Sequence, residues 1–68
     1  MTAPRYSVFV LGPTGERWVS ALAQEREIAL AHYGYLLDMH AEGHLSKDVR
    51  PFGVLDGVSG EWIEGGEK

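Results

Sequence analysis

The chain has 68 residues, 10 Asp and Glu against 6 Lys and Arg, a net charge of −4 and 44% hydrophobic residues, the profile of one small folded domain rather than a disordered segment. It has no cysteine, which excludes disulfides, iron–sulfur clusters and thiolate zinc sites and leaves a compact core or a second copy of the chain as sources of stability, with a histidine/carboxylate metal as an outside alternative. The basic residues Arg5, Arg17, Arg26, Lys47, Arg50 and Lys68 form no run, so no phosphate-tracking stripe is visible and direct binding of nucleic acid is not expected.

Met1–Tyr6 carries no charged region followed by an apolar run, so no signal peptide is read there. No stretch approaches the length of a membrane span, and a soluble, cytoplasmic protein is the expectation. Tyr6–Leu11 (YSVFVL) is β-branched and aromatic and is closed by the turn Gly12–Gly15 (GPTG), which predicts a first strand. Tyr6, Val8 and Val10 then point to one face and Ser7, Phe9 and Leu11 to the other, both largely apolar.

From about Arg17 to Glu42 the residues are good helix formers without proline. Thr14 is the expected N-cap, and Glu16 suits the positive end. Gly43 followed by Leu45 reads as a C-terminal cap with its hydrophobic contact. Such a helix would run for about 37 Å, with Gly34 as a place to kink. Ser20, Gln24, Glu27, Ala31, Gly34, Asp38 and Glu42 form a narrow polar strip. The remaining arc is mainly apolar and about twice as wide as a surface helix needs. One small sheet cannot cover it, so a partner is expected to cover the rest.

Val49–Asp56 and Glu61–Glu64 read as two further strands flanking the turn Gly57–Gly60. Pro51 and Gly53 make the first of them an edge strand or a bulged one. The expected fold is α+β, a single domain over 1–68 with 1–5 and 65–68 frayed. One long helix packs on a three-stranded, mainly antiparallel sheet in the order β-α-β-β, half of a ferredoxin-like unit. The first strand is expected to pair with the last, which would place the last in the middle.

The residues that could carry chemistry are few. His32, His40 and His44 lie near Asp38 and Glu42, but their spacing puts no two imidazoles on one intact helix face, so no metal is expected. LGPTGE lacks the lysine and hydroxyl of a phosphate loop and reads as a tight turn. Nothing calls for a cofactor. Ser7, Ser20, Ser46 and Ser59 sit in no nucleophile context. His32, inside the apolar arc with Glu25 two turns earlier on the same side, is the one candidate general acid or base. Trp18, Trp62, Tyr33 and Tyr35 suit interface anchors. Glu25 and Arg26 form a polar pair inside the apolar arc, which fits an interface better than a core. The acidic surplus gathers late, at Asp48, Asp56, Glu61, Glu64 and Glu67.

The segment His32–Leu45 (HYGYLLDMHAEGHL) covers 14 of the 68 residues. It resembles the helix of the YCII-related proteins of the dimeric α/β-barrel group. His32, Tyr35, Leu36, Met39, Gly43 and Leu45 occupy the family's histidine, Tyr-Leu, apolar and Gly-x-Leu places. The family's glycine-proline stretch after the helix has only RPFG in its place. The resemblance implies a ferredoxin-like fold, dimerisation through sheets and an acid/base role for His32.

The leading expectation is a small acidic non-enzymatic interaction module, self-associating as a homodimer or docking on a larger, basic protein. An inhibitor of phage or mobile-element type that occludes a nucleic-acid-binding host complex would have this form. Its partner-binding residues would be Trp18, Glu25, Arg26, Tyr33, Tyr35, Asp56, Glu61, Trp62 and Glu64. The alternative is a small dimeric enzyme of YCII-related type using His32. A third reading, RNA stacked across sheet aromatics, requires Phe9 or Phe52 exposed beside Arg5 or Arg50.

Overall fold

The computed structural model describes residues 4–66. In chain order it forms β1 Tyr6–Leu11, β2 Arg17–Ala23, α1 Arg26–Ala41, β3 Arg50–Asp56 and β4 Glu61–Gly65. The strands make one antiparallel sheet in the order β2-β1-β3-β4. Helix α1 leaves edge strand β2, packs across β1 and returns the chain to β3. The α+β class and the single helix on an antiparallel sheet are as expected.

The sheet has four strands, not three, because the stretch expected to begin the helix is β2. Gly12–Gly15 closes a β-hairpin instead of opening a helix. The Gly12 N–H donates to the Glu16 carbonyl at 2.8 Å, and the Gly15 N–H to the Gly12 carbonyl at 3.2 Å. Gly15 takes φ +88°, a conformation glycine adopts without a Cβ penalty. Thr14 therefore caps no helix. Pairing along β1 from Tyr6↔Ala23 to Leu11↔Arg17 gives this segment a full ladder, and the helix preference of Ala21–Gln24, small in energy per residue, yields to it.

The helix begins at Arg26, with Glu25 as an N-cap that makes no side-chain capping bond. Its 16 residues span about 24 Å. The C-terminus follows the sequence reading. Gly43 has φ +77°, its N–H donates to the His40 carbonyl at 3.2 Å, and the His44 N–H reaches the Met39 carbonyl at 2.8 Å. This pair of bonds is the Schellman arrangement. Leu45 follows and packs half-buried on the core.

The core lies between sheet and helix. Val8 and Val54, both 0% exposed, face each other across β1 and β3, with Ala21 on the far side of Val8. Tyr6, Val10, Ala29 and Leu36 complete the buried cluster. Burying a valine of this kind stabilises by about 1.5–3 kcal/mol.

The expected strand order is also corrected. β1 pairs with β3, and β4 is the outer strand. Hairpin closure holds it there: the Gly60 N–H donates to the Asp56 carbonyl at 2.8 Å across the Gly57–Gly60 turn. β3 is an inner strand despite Pro51 and Gly53. A register shift at Phe52 supplies the bulge, and β4 pairs only with Gly53–Asp56, so Pro51 faces no strand on that side. Gly53 is needed there. A Cβ would lie 2.5 Å from the Gly66 nitrogen and 2.6 Å from the Glu64 carbonyl oxygen.

Of the ends expected to fray, residues 1–3, 67 and 68 lie outside the described residues. Arg5, Gly65 and Gly66 are held. Arg5 donates to Asp56 through Nε at 3.1 Å and Nη2 at 3.0 Å, and the Gly66 N–H donates to the Phe52 carbonyl at 2.8 Å.

Candidate functional site

The sequence of β2 between Trp18 and Ala23 carries no charge, and among the described residues no strand lies along its outer side. An edge of this kind leaves a row of backbone donors and acceptors open, and proteins normally blunt it with charges or proline. The opposite edge, β4, is so protected by Glu61 and Glu64, both exposed.

Along β2 the side chains of Trp18, Val19, Ser20 and Leu22 are exposed. Val19 and Leu22 stand opposite Phe9 and Ser7 on the sheet face away from the helix, while Trp18 stands opposite Val10 on the helix side. The register shift at Ser20 sets this alternation and turns Ser20 toward α1, where its Oγ lies 3.1 Å from His32 Nε2. On the helix, Ile28 and Tyr35 flank His32 at i−4 and i+3 and so share its face; the His32 and Tyr35 rings lie 6.4 Å apart. Trp18, Val19, Leu22, Ile28 and Tyr35 are five of the seven large apolar side chains exposed in the described chain. All five lie on β2 or on the helix face above it.

The wide apolar arc thus resolves into three stripes. Ala29 and Leu36 are buried over the middle of the sheet. Leu30, Tyr33 and Leu37 face β4, lining with Gly34 and Glu64 a shallow cavity of about 260 Å³. Ile28, His32 and Tyr35 face the β2 side. Burial pushes the Tyr33 hydroxyl above its ordinary pKa, with the Glu64 charge adding to the effect.

The other expected partner-binding residues fall elsewhere. Glu25 and Arg26 stand exposed at the helix start, outside the stripe. Asp56 is 6% exposed and is occupied by Arg5 and by the Val58 N–H at 2.9 Å. The Arg5 hydrogen bonds and that backbone donor hold its carboxyl down at about 2. It is a structural ligand for the N-terminal segment, leaving Glu61 and Glu64 as the open carboxylates of β4.

Trp62 lies on the open sheet face opposite Leu55, and its ring meets Phe9 edge-on at 5.5 Å and Phe52 at 5.2 Å. The cation over Phe52 is Arg17, at 4.9 Å, and not Arg5 or Arg50. These rings are half-buried and spent on one another. They do not form the row of open faces on which bases stack.

His32 and Ser20 form a nucleophile–base pair by distance alone. Neither lines the 260 Å³ cavity or the larger one of about 400 Å³ at the hairpin tip. His40 lines the larger cavity, and His44 lies 3.8 Å from Glu42. No group of three or more His, Asp or Glu that could hold a metal ion occurs among the described residues.

Val19, Leu22 and Ile28 were not among the residues read as partner-binding. The signal was the aromatic and β-branched pair Trp18-Val19, separated by two residues from a Gly-containing turn, which a reading by helical periodicity hides. No family model, curated protein or solved structure matches the chain.

Proposed function

We propose that the protein is a non-enzymatic interaction module that docks through the β2 edge and its apolar flank, and that the partner there is a second copy of the chain. The observation that carries this reading is the gathering of five exposed large apolar side chains about one strand edge that carries no charge from Trp18 to Ala23. Two β2 strands paired antiparallel about a twofold axis would extend the sheet to eight strands, twice the four of one copy. The same axis would bring the two Ile28–Tyr35 stripes together above it. A standard interface takes about 800 Å² from each partner, about a sixth of the 4669 Å² of exposed surface. β4 is unsuited to this role because its carboxylates would face like charges.

Solution mass across a concentration series tests the reading. The expected outcome is a dimer of twice 7.5 kDa, converted to a monomer of unchanged circular dichroism by Leu22→Lys with Ile28→Lys. A wild-type monomer at all concentrations would sink self-pairing. Docking on a larger, basic protein through Glu61 and Glu64, in the manner of an occluding inhibitor, would then be the form of the module to pursue. Glu61→Lys with Glu64→Lys should abolish that docking.

A second reading, an enzyme of YCII-related type, has one observation in its favour, the 3.1 Å separation of His32 and Ser20. It needs a third group to orient the imidazole and a cavity beside it. An activity abolished by His32→Ala but not by the β2 variant would support it.

A further inference from the structure

The end of the sheet away from Arg5 and Asp56 holds a feature that the interaction surface does not use. The β1–β2 turn, the C-terminal part of α1 and the chain entering β3 enclose a concavity of about 400 Å³ lined by Leu11, Gly12, Pro13, Gly15, His40, Lys47, Asp48 and Arg50. Small-molecule sites begin at about 300 Å³. We propose that this concavity binds a small phosphate ester that also carries a hydroxyl group.

The charge distribution argues for an anion. The chain is acidic as a whole, at −4, yet Lys47, Arg50 and His40 converge here from a loop, a strand and a helix. Among the described residues neither Lys47 nor Arg50 has an ion-pair partner. Arg5, by contrast, is spent on Asp56 and Arg17 lies over Phe52. Lys47 and Arg50 both line the concavity, so an anion seated there would meet two cations. Their difference in kind suits a phosphate: a planar guanidinium grips two oxygens and a lysine ammonium takes a third.

The remaining walls define the rest of the ligand. Leu11 and Pro13 offer an apolar floor for carbon atoms, and Gly12 and Gly15 line the same side. Glu16 folds over Gly12 and does not line the cavity; a Cβ on Gly12 would meet its Oε1 at 2.6 Å. Asp48 does line it. One carboxylate beside two cations weakens a bare anion, but it rewards a ligand that brings a hydroxyl donor next to its phosphate. A sugar phosphate has that pairing, and inorganic phosphate offers no separate carbon-borne hydroxyl.

Amide chemical shifts of the full chain, titrated with ribose 5-phosphate and separately with inorganic phosphate at matched ionic strength, test this. Saturable shifts are expected at Gly12, Gly15, Lys47, Asp48 and Arg50, with ribose 5-phosphate binding about tenfold more tightly than inorganic phosphate. Arg50→Gln, at an exposed position, should weaken both by about tenfold. Asp48→Asn should tighten inorganic phosphate and narrow the gap between the two ligands. Equal affinity for both ligands in the wild type would overturn the ester assignment. Shifts that never saturate into the tens of millimolar, or that survive Arg50→Gln unchanged, would overturn the site.

Discussion

Gly43 and Asp56 each make one interaction whose removal has a definite cost. Gly43 sits at φ +77° with nothing within 4 Å of the place a Cβ would take. The penalty of Gly43→Ala is therefore conformational alone, about 1–2 kcal/mol. In a domain of this size that corresponds to a fall in melting temperature of about 4–8 °C per kcal/mol, and a thermal scan reads it directly. Asp56 has its carboxyl held at about 2 against an ordinary 3.8, first by the Arg5 hydrogen bonds and then by the Val58 N–H. A depressed carboxyl contributes stability that is complete above its unfolded pKa and is lost as pH falls through the folded one. The midpoint of urea unfolding should therefore drop as pH is lowered from about 4 toward 2, and Asp56→Asn should flatten that part of the profile.

At the scale of the elements, β4 depends on one absent side chain. A Cβ on Gly53 would meet the backbone at Gly66 and Glu64, so Gly53→Ala should push β4 off β3 and leave the rest of the sheet paired. Amide exchange should then become fast in 61–65 while the inner amides of β1 stay protected; uniform loss of protection would show that β4 is integral to the cooperative unit. Leu36 is the largest helix side chain buried on the sheet. Leu36→Ala should cost about 2–5 kcal/mol, a large share of the roughly 0.05–0.15 kcal/mol per residue by which small domains are stable.

The whole molecule is a two-layer fold with one covered sheet face. The helix buries Tyr6, Val8, Val10 and Val54, while Val19 and Leu22 stay more than half exposed on the far side. If the β2 edge pairs with a second copy, folding and assembly are linked by mass action. The melting temperature of the wild type should rise with protein concentration, and that of Leu22→Lys with Ile28→Lys should not. A wild-type melting temperature independent of concentration would speak against dimerisation.

Local chemistry was enough for several parts of this protein. The alternation in Tyr6–Leu11 marks β1 and its buried face, because side chains alternate along any strand whatever it pairs with. The Gly43–Leu45 cap follows from the backbone need for a left-handed residue at a helix end. Asp-Gly at the entry to Gly57–Gly60 marks the β3–β4 hairpin. The excess of apolar surface was counted on a helix from Arg17 to Glu42; Arg17–Ala23 forms β2 instead, so the exposed apolar side chains lie on a strand edge and a helix face and not on one helix arc. Tertiary pairing decided the rest. Arg17–Ala23 is compatible with helix or strand on its own residues, and only the ladder offered by β1 makes it β2. The bulges at Ser20, Phe52 and Ile63 arise between strands and have no signature within one. The convergence of His40, Lys47 and Arg50 depends on where the hairpin tip and the end of α1 come together, a distance that residue spacing along the chain does not contain.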